Sequence, residues 1–174
     1  MRRPLFLSLF VVLGFGLDQW SKLLVFALLA KGTAWQLIPG VLHLTLARNQ
    51  GVAFSLLRNH PSLILCVSCA AIAVLVWLYA TVRRTAPAVV LVALGLLLVG
   101  AMGNLADRLA YGYVRDFIDF VPPVPLVGRW AVFNVADMCI TIGVALYLFG
   151  ELFCGRRRPE EPAGKQAADA HEAR

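Results

Sequence analysis

The sequence predicts a membrane all-α protein, with four transmembrane helices and a small extracytoplasmic β platform. Three observations carry this reading. The 174-residue chain is 60% hydrophobic and 15% charged, with a mean hydropathy of +0.75, whereas a soluble domain carries about 25% charged residues. Residues 5–30, 62–82, 86–106 and 133–153 form four apolar runs, each near the roughly 20 residues a helix needs to cross about 30 Å of hydrocarbon. Basic residues collect at the flanks of those runs. The composition excludes a soluble enzyme and a disordered chain.

The first run follows Arg2 and Arg3, is uncharged through Leu17, and then meets Asp18, Gln19 and Lys22. A basic start and an apolar stretch also begin a secretory signal peptide. No small-x-small cleavage pattern follows Leu17, however, and the run resumes at Leu23, so a retained helix is expected. The second and third runs hold no charge, and the fourth holds Asp137 near its start and Glu151 near its end. Only a helix satisfies its own backbone hydrogen bonds in lipid, so each run is read as a spanning helix.

Nine of the sixteen Lys and Arg are Arg2, Arg3, Arg83, Arg84 and the five from Arg156 to the end. These positions flank apolar runs, and such clusters set topology. The net charge of +6 is therefore no sign of a nucleic-acid partner. Both termini are placed in the cytoplasm, with residues 31–60 and 107–132 outside. Residues 156–174 are polar, with Pro159, Pro162 and Gly164, and are expected to be a disordered cytoplasmic tail.

The outer segments carry their own signals. Residues 41–46 alternate, with Leu42, Leu44 and Leu46 on one face, which predicts a half-buried strand between turns at Pro39-Gly40 and Asn49-Gln50-Gly51. Pro122, Pro123 and Pro125 forbid a regular helix in the second outer segment. Cys66 and Cys69 lie in the middle of an uncharged run, which suits packing better than metal or redox chemistry. His43, His60 and His171 lack ligand spacing. No metal and no cofactor are expected.

The acidic residues give the strongest signal. Before Glu151 the chain has no Glu and five Asp: Asp18, Asp107, Asp116, Asp119 and Asp137. A charge at membrane depth costs about 2.5–3.5 kcal/mol on insertion scales, and the predicted topology brings all five to the outer face. Asn104, Asp107 and Arg108 share a helix face, and Asn134 and Asp137 repeat the i, i+3 spacing. Each Asn is placed to orient a carboxylate. Asp18 and Lys22 are spaced i, i+4 and can pair. Two close carboxylates share a proton, so one can act as base on water and the other as acid toward a carbonyl. Structural roles stay open for several of these: a helix-end network of Asp107 with Arg108, a packing pair of Asp18 with Lys22, and a solvated loop position for Asp119. Asp116 and Asp137 are harder to explain structurally, since no basic residue lies within four positions of Asp137 on its helix.

Five blocks, in order, resemble the lipoprotein signal peptidases (signal peptidase II). They are Asp18-Gln19-Trp20-Ser21-Lys22; Asn49-Gln50-Gly51-Val52-Ala53-Phe54-Ser55; Gly103-Asn104-Leu105-Ala106-Asp107-Arg108; Val114-Arg115-Asp116-Phe117; and Phe133-Asn134-Val135-Ala136-Asp137. The resemblance spans about residues 5–153. It implies that residues 1–155 are one four-helix transmembrane peptidase domain. It implies an aspartic endopeptidase that cleaves prolipoproteins just before a diacylglyceryl-modified Cys. Asp116 and Asp137 would be the catalytic pair; Asn49, Asn104, Asp107, Arg108 and Asn134 would bind substrate or support the pair; Asp18 and Lys22 would be structural. It places the protein in the bacterial cytoplasmic membrane as a monomer, with its site near the outer face and membrane lipid and prolipoproteins as partners. Residues 122–127 would act as a lid, and Trp35, Phe117, Trp130 and Phe133 would sit in the interfacial belt. Which Asp holds the proton at rest is left open.

Two other classes compete. A proton-coupled transporter would use Asp18, Asp107 and Asp137 as a relay, but the acids gather at one face and no inverted repeat is evident. An assembly subunit would use the polar residues as interhelical glue and would tolerate Asp116→Asn.

Overall fold

The computed structural model describes residues 2–51, 60–123 and 130–154. The four apolar runs are helices: α1 Arg2–Leu28, α2 Pro61–Val82, α3 Ala88–Tyr111 and α4 Val135–Phe149. A π-helical turn, Gly150–Cys154, continues α4. All four helices are long and apolar enough to cross a membrane. Their outer surfaces are apolar too, with Val12, Leu13, Val67, Trp77 and Leu148 all exposed. Such a surface needs lipid rather than water around it.

α3 is the central helix and packs against α1, α2 and α4. Val90, Ala93, Leu94, Leu98 and Val99 are buried along it. Its contact with α4 is close because glycines stand where the backbones meet. A Cβ at Gly100 would run into the Ala136 carbonyl and the Ile140 side chain, and one at Gly143 would lie 3.1 Å from the Ala93 carbonyl. Small residues permit such approach in membranes, where van der Waals packing replaces the hydrophobic drive between helices. Gly100→Val is therefore expected to destabilise the bundle by about 1–3 kcal/mol, as read by unfolding in mixed micelles. Gly16→Ala, with nothing within 4 Å of the added methyl, is the neutral control. Equal stability of the two variants would show that the α3–α4 contact is slack.

α3 runs past the predicted end at residue 106. Asp107 and Arg108 do not stop it, because their charges reach sideways to partners. Gly112 does, with φ 75° and its N–H bonded to the Arg108 carbonyl, the left-handed cap that glycine adopts without strain. α4 begins at Val135 rather than 133, because Asn134 caps it.

The outer segments hold more order than their sequence suggests. Strands β1 Trp35–Ile38, β2 Leu42–Asn49 and β3 Val114–Phe120 form an antiparallel sheet in the order β1-β2-β3. The predicted strand at 41–46 is β2, extended to Asn49; β1 and β3 are additions that the sequence pattern does not predict. Phe133 pairs with Ile118 on the other side of β3. Beneath the sheet, Phe117 packs with Val25 and Leu29, joined by Leu44, Leu46 and Val135. Phe117 is thus a core residue and not part of an interfacial belt, whereas Trp35 and Trp130 are exposed. Asp119 is also corrected: it is buried in β3, opposite His43 on β2 and 3.9 Å from His43 Nδ1, not a solvated loop residue. Most of the expected lid, and the tail at 156–174, lie outside the described residues.

Candidate active site

The site is assembled where α3 ends, β3 passes and α4 begins. Arg115, the second residue of β3, turns toward the last turn of α3. Its backbone N–H donates to Asp107 Oδ2 at 2.8 Å and its Nη2 to Asp107 Oδ1 at 2.8 Å. Nη2 also donates to Gln19 Oε1 on α1 at 2.8 Å, and the guanidinium lies 4.5 Å from the centroid of Tyr111. A strand sends successive side chains to opposite faces. With Arg115 fixed on Asp107, Asp116 must face the other way.

On that face Asp116 meets Asn134. The Phe133–Ile118 pairing carries the chain back along β3, so Asn134 arrives beside Asp116, and its Nδ2 donates to Asp116 Oδ1 at 2.6 Å. The Asn49 side chain, at the end of β2, also favours the charged form of this carboxylate. Asn134 is also the N-cap of α4. Its Oδ1 accepts from the Asp137 N–H at 3.0 Å, while Asp137 Oδ2 accepts from the Asn134 N–H at 3.1 Å. This reciprocal capping box satisfies two donors of the first helical turn. Asp137 Oδ1 accepts from Asn104 Nδ2 on α3 at 2.8 Å. The two carboxylates therefore share Asn134, one through its side-chain amide and the other through its cap.

The floor of the site is ionic. Lys22 and Asp18 of α1 are both fully buried and pair at 2.8 Å; Lys22 is 3.5 Å from Asp107 Oδ2. Asp18 Oδ1 also accepts from the Ala136 N–H at 2.9 Å. Gln19 bridges α1 to α3 by donating to the Gly103 carbonyl at 3.2 Å. At the rim, Arg108 Nη2 donates to the Gly51 carbonyl at 3.0 Å and Nη1 to the Asn104 carbonyl at 3.4 Å.

Residues 10–153 match the family described as signal peptidase (SPase) II. The lipoprotein signal peptidase of Gloeobacter violaceus is 40% identical over 157 residues, covering 89% of this chain and 87% of the relative. That of Staphylococcus carnosus is 34% identical over 163 residues, covering 90% of this chain and 98% of the relative. The chain belongs to the signal peptidase II family. A bacterial membrane enzyme solved in meso at 2.3 Å shares the fold, with a TM-score of 0.78 and 28% identity over 91% of this chain and 94% of that one. As a member of this family the protein is a peptidase that acts on the signal peptides of prolipoproteins.

The peptidase fold brings together every site residue expected from sequence: Asp18, Lys22, Asn49, Asn104, Asp107, Arg108, Asp116, Asn134 and Asp137 all join this cluster. It corrects one pairing. Asp107 does not pair with its neighbour Arg108; its partners are Arg115 and Lys22. Two residues have a role that the sequence pattern does not assign. Arg115 holds β3 to α3, and Gln19 ties α1 to both. The signal for β3 itself is present: Val114, Phe117, Ile118 and Phe120 fall between Gly112 and Pro122, a bracketed strand composition. Arg115, Asp116 and Asp119 hide it, by putting charge on both faces. Among the described residues, no group of three His, Cys, Asp or Glu could hold a metal ion.

Asp116 is 2% exposed. Burial, and then the Asp137 charge, push its carboxyl from the usual range up to about 7, against the Asn134 and Asn49 hydrogen bonds. Asp137 accepts N–H bonds at both oxygens, in the first turn of α4.

Proposed function

We propose that Asp116 and Asp137 are the catalytic pair of an aspartic endopeptidase, which cleaves prolipoproteins just before the diacylglyceryl-modified Cys. The observation that carries this is the shared Asn134, donating to Asp116 at 2.6 Å while capping α4 with Asp137. In this reading Asp116 holds the proton at rest and Asp137 is the base. Asp137 takes a proton from water, the hydroxide attacks the scissile carbonyl, and Asp116 protonates the carbonyl oxygen. The gem-diol then collapses. Asp137 passes its proton to the amide nitrogen, Asp116 recovers its own from the diol, and the C–N bond breaks. Asn49 and Arg108 line the approach, while Asn104, Asp107 and Asn134 support the pair. No metal or cofactor enters the scheme.

The wider assignment follows the same reading. Residues 1–155 form the peptidase domain and 156–174 a cytoplasmic tail. Both termini face the cytoplasm, and the monomer sits in the bacterial cytoplasmic membrane with its site at the outer face. There the lipid anchor stays in the bilayer while the scissile bond meets water.

The test is cleavage of a diacylglyceryl-modified prolipoprotein by purified protein in detergent, with chelator present. Cleavage before the lipidated Cys, with the unlipidated precursor left intact, is the expected result. Cleavage that chelator abolishes and zinc restores would overturn the two-carboxylate scheme. The pH profile is a second check. If Asp116 must be protonated, kcat/KM falls as pH rises through about 7, the apparent value belonging to the pair. A rate still climbing at pH 9 would sink the assignment of the resting proton.

A further inference from the structure

Asp18 and Lys22 are an expensive pair to keep at membrane depth, and packing alone does not explain where their atoms point. Asp18 Oδ1 leaves the ion pair to accept the N–H of Ala136, the residue before Asp137, at 2.9 Å. Lys22 Nζ reaches past Asp18 to Asn104 Oδ1 at 3.4 Å. An ammonium has only donors, so it holds the Asn104 oxygen toward itself. The Asn104 Nδ2 is then presented to Asp137 Oδ1, 2.8 Å away. Asn134 Nδ2 also donates to Asn104 Oδ1, at 3.2 Å, but it is uncharged. The α1 pair thus touches the Asp137 segment twice, at its backbone and through an amide at its carboxylate.

We propose that Asp18 and Lys22 are positioning residues for Asp137, Asp18 through the Ala136 N–H and Lys22 through the side-chain amide of Asn104. This rests on the reading of Asp116 and Asp137 as the reacting pair. The Lys22 charge also reaches Asp116, where it opposes the effect of burial. The other charged groups around it are Asp18 on its own helix, Asp107 and Arg108 on α3, Arg115 and Asp116 on β3, and Asp137 on α4. Lys22 is the cation that joins the first helix to this set.

Gly103 fits the same arrangement. A Cβ there would run into Asp18 Oδ2 and lie 3.2 Å from the Ala136 Cβ. The absence of a side chain at 103 lets Asp18 reach the start of α4.

The test compares Lys22→Met and Lys22→Gln, each combined with Asp18→Asn. Removing both charges together leaves neither buried alone, and the amide introduced at position 18 keeps an oxygen for the Ala136 N–H. The Lys22→Gln change keeps a donor for Asn104, and Lys22→Met keeps none. All proteins are purified in detergent, checked for cooperative unfolding, and assayed on the lipidated prolipoprotein. The expected result is a kcat about 10²-fold below wild type for the Met variant at nearly unchanged KM. The Gln variant recovers about tenfold of that loss.

Equal kcat in folded Met and Gln variants would overturn the proposal and leave the pair a packing device. If the Met variant does not fold, the Gln variant decides by its kcat: a loss of about tenfold at nearly unchanged KM supports the proposal, and a wild-type kcat overturns it. Asp137→Asn in the same assay separates the two levels. Full activity there removes the reacting pair itself, whatever Lys22 does.

Discussion

Asp116→Asn is expected to abolish cleavage while leaving the protein folded. General acid–base groups contribute roughly 10²–10⁴-fold each, and both steps of the proposed scheme use Asp116. Its replacement keeps an oxygen for Asn134 Nδ2, so the hydrogen-bonded frame survives. Stability moves the other way. The Asp116 carboxyl is raised from 3.8 to about 7, so the native state binds a proton that the unfolded chain has released. Its contribution is whole below about 4 and is lost as pH rises through about 7. The neutral amide has no such loss, and Asp116→Asn should melt above wild type at pH 8 but not at pH 4. Asp137→Asn should be equally inactive but less stable than wild type. An amide at that position can accept only one of the two N–H bonds that Asp137 takes from Asn104 and Asn134. Losing a cap of this kind costs about 1 kcal/mol. Cleavage near the wild-type rate by either folded variant would remove the pair.

The second large effect falls on stability. Arg115→Met is expected to destabilise the protein by about 3–5 kcal/mol, because it strands a buried carboxylate. Asp107 is fully buried, and Lys22, at 3.5 Å, is already committed to Asp18 at 2.8 Å. Asp107→Asn should cost a comparable amount by stranding Arg115. The double variant Asp107→Asn/Arg115→Met should recover much of either loss, since removing both charges leaves neither buried without its partner. Unfolding in mixed micelles gives the coupling energy directly. Additive losses would mean that Asp107 and Arg115 act independently and that β3 is held by its strand pairing alone.

These expectations separate what local sequence rules reach from what they miss. Helix rules relate residues three or four apart. They expose the Asp18–Lys22 pair and the contact of Asn134 with Asp137, which the fold makes as a cap. The same rules misassign Asp107, because Arg108 is the only basic residue in local reach. The true partner, Arg115, lies eight positions on, past the Gly112 cap and into a strand. Asp119 is misread for a related reason. Flanked by prolines and charges, it looks like a loop position until β2 and the Phe133 segment cover both sides of β3.

The sequence by itself determined the four helices, because about twenty predominantly apolar residues in a row have no other stable form in lipid. It determined that five acids gather at one end, because successive spanning helices reverse direction and the acids lie at or between matching ends. Five short blocks also identified the family. Tertiary structure alone decided which acids meet. Asn134 reaches Asp116 across 18 positions, Asn104 reaches Asp137 across 33, and Asp18 reaches Ala136 across 118. No periodicity encodes those separations. They follow from glycines that let α3 and α4 touch, and from a strand whose alternation turns Arg115 to one face and Asp116 to the other.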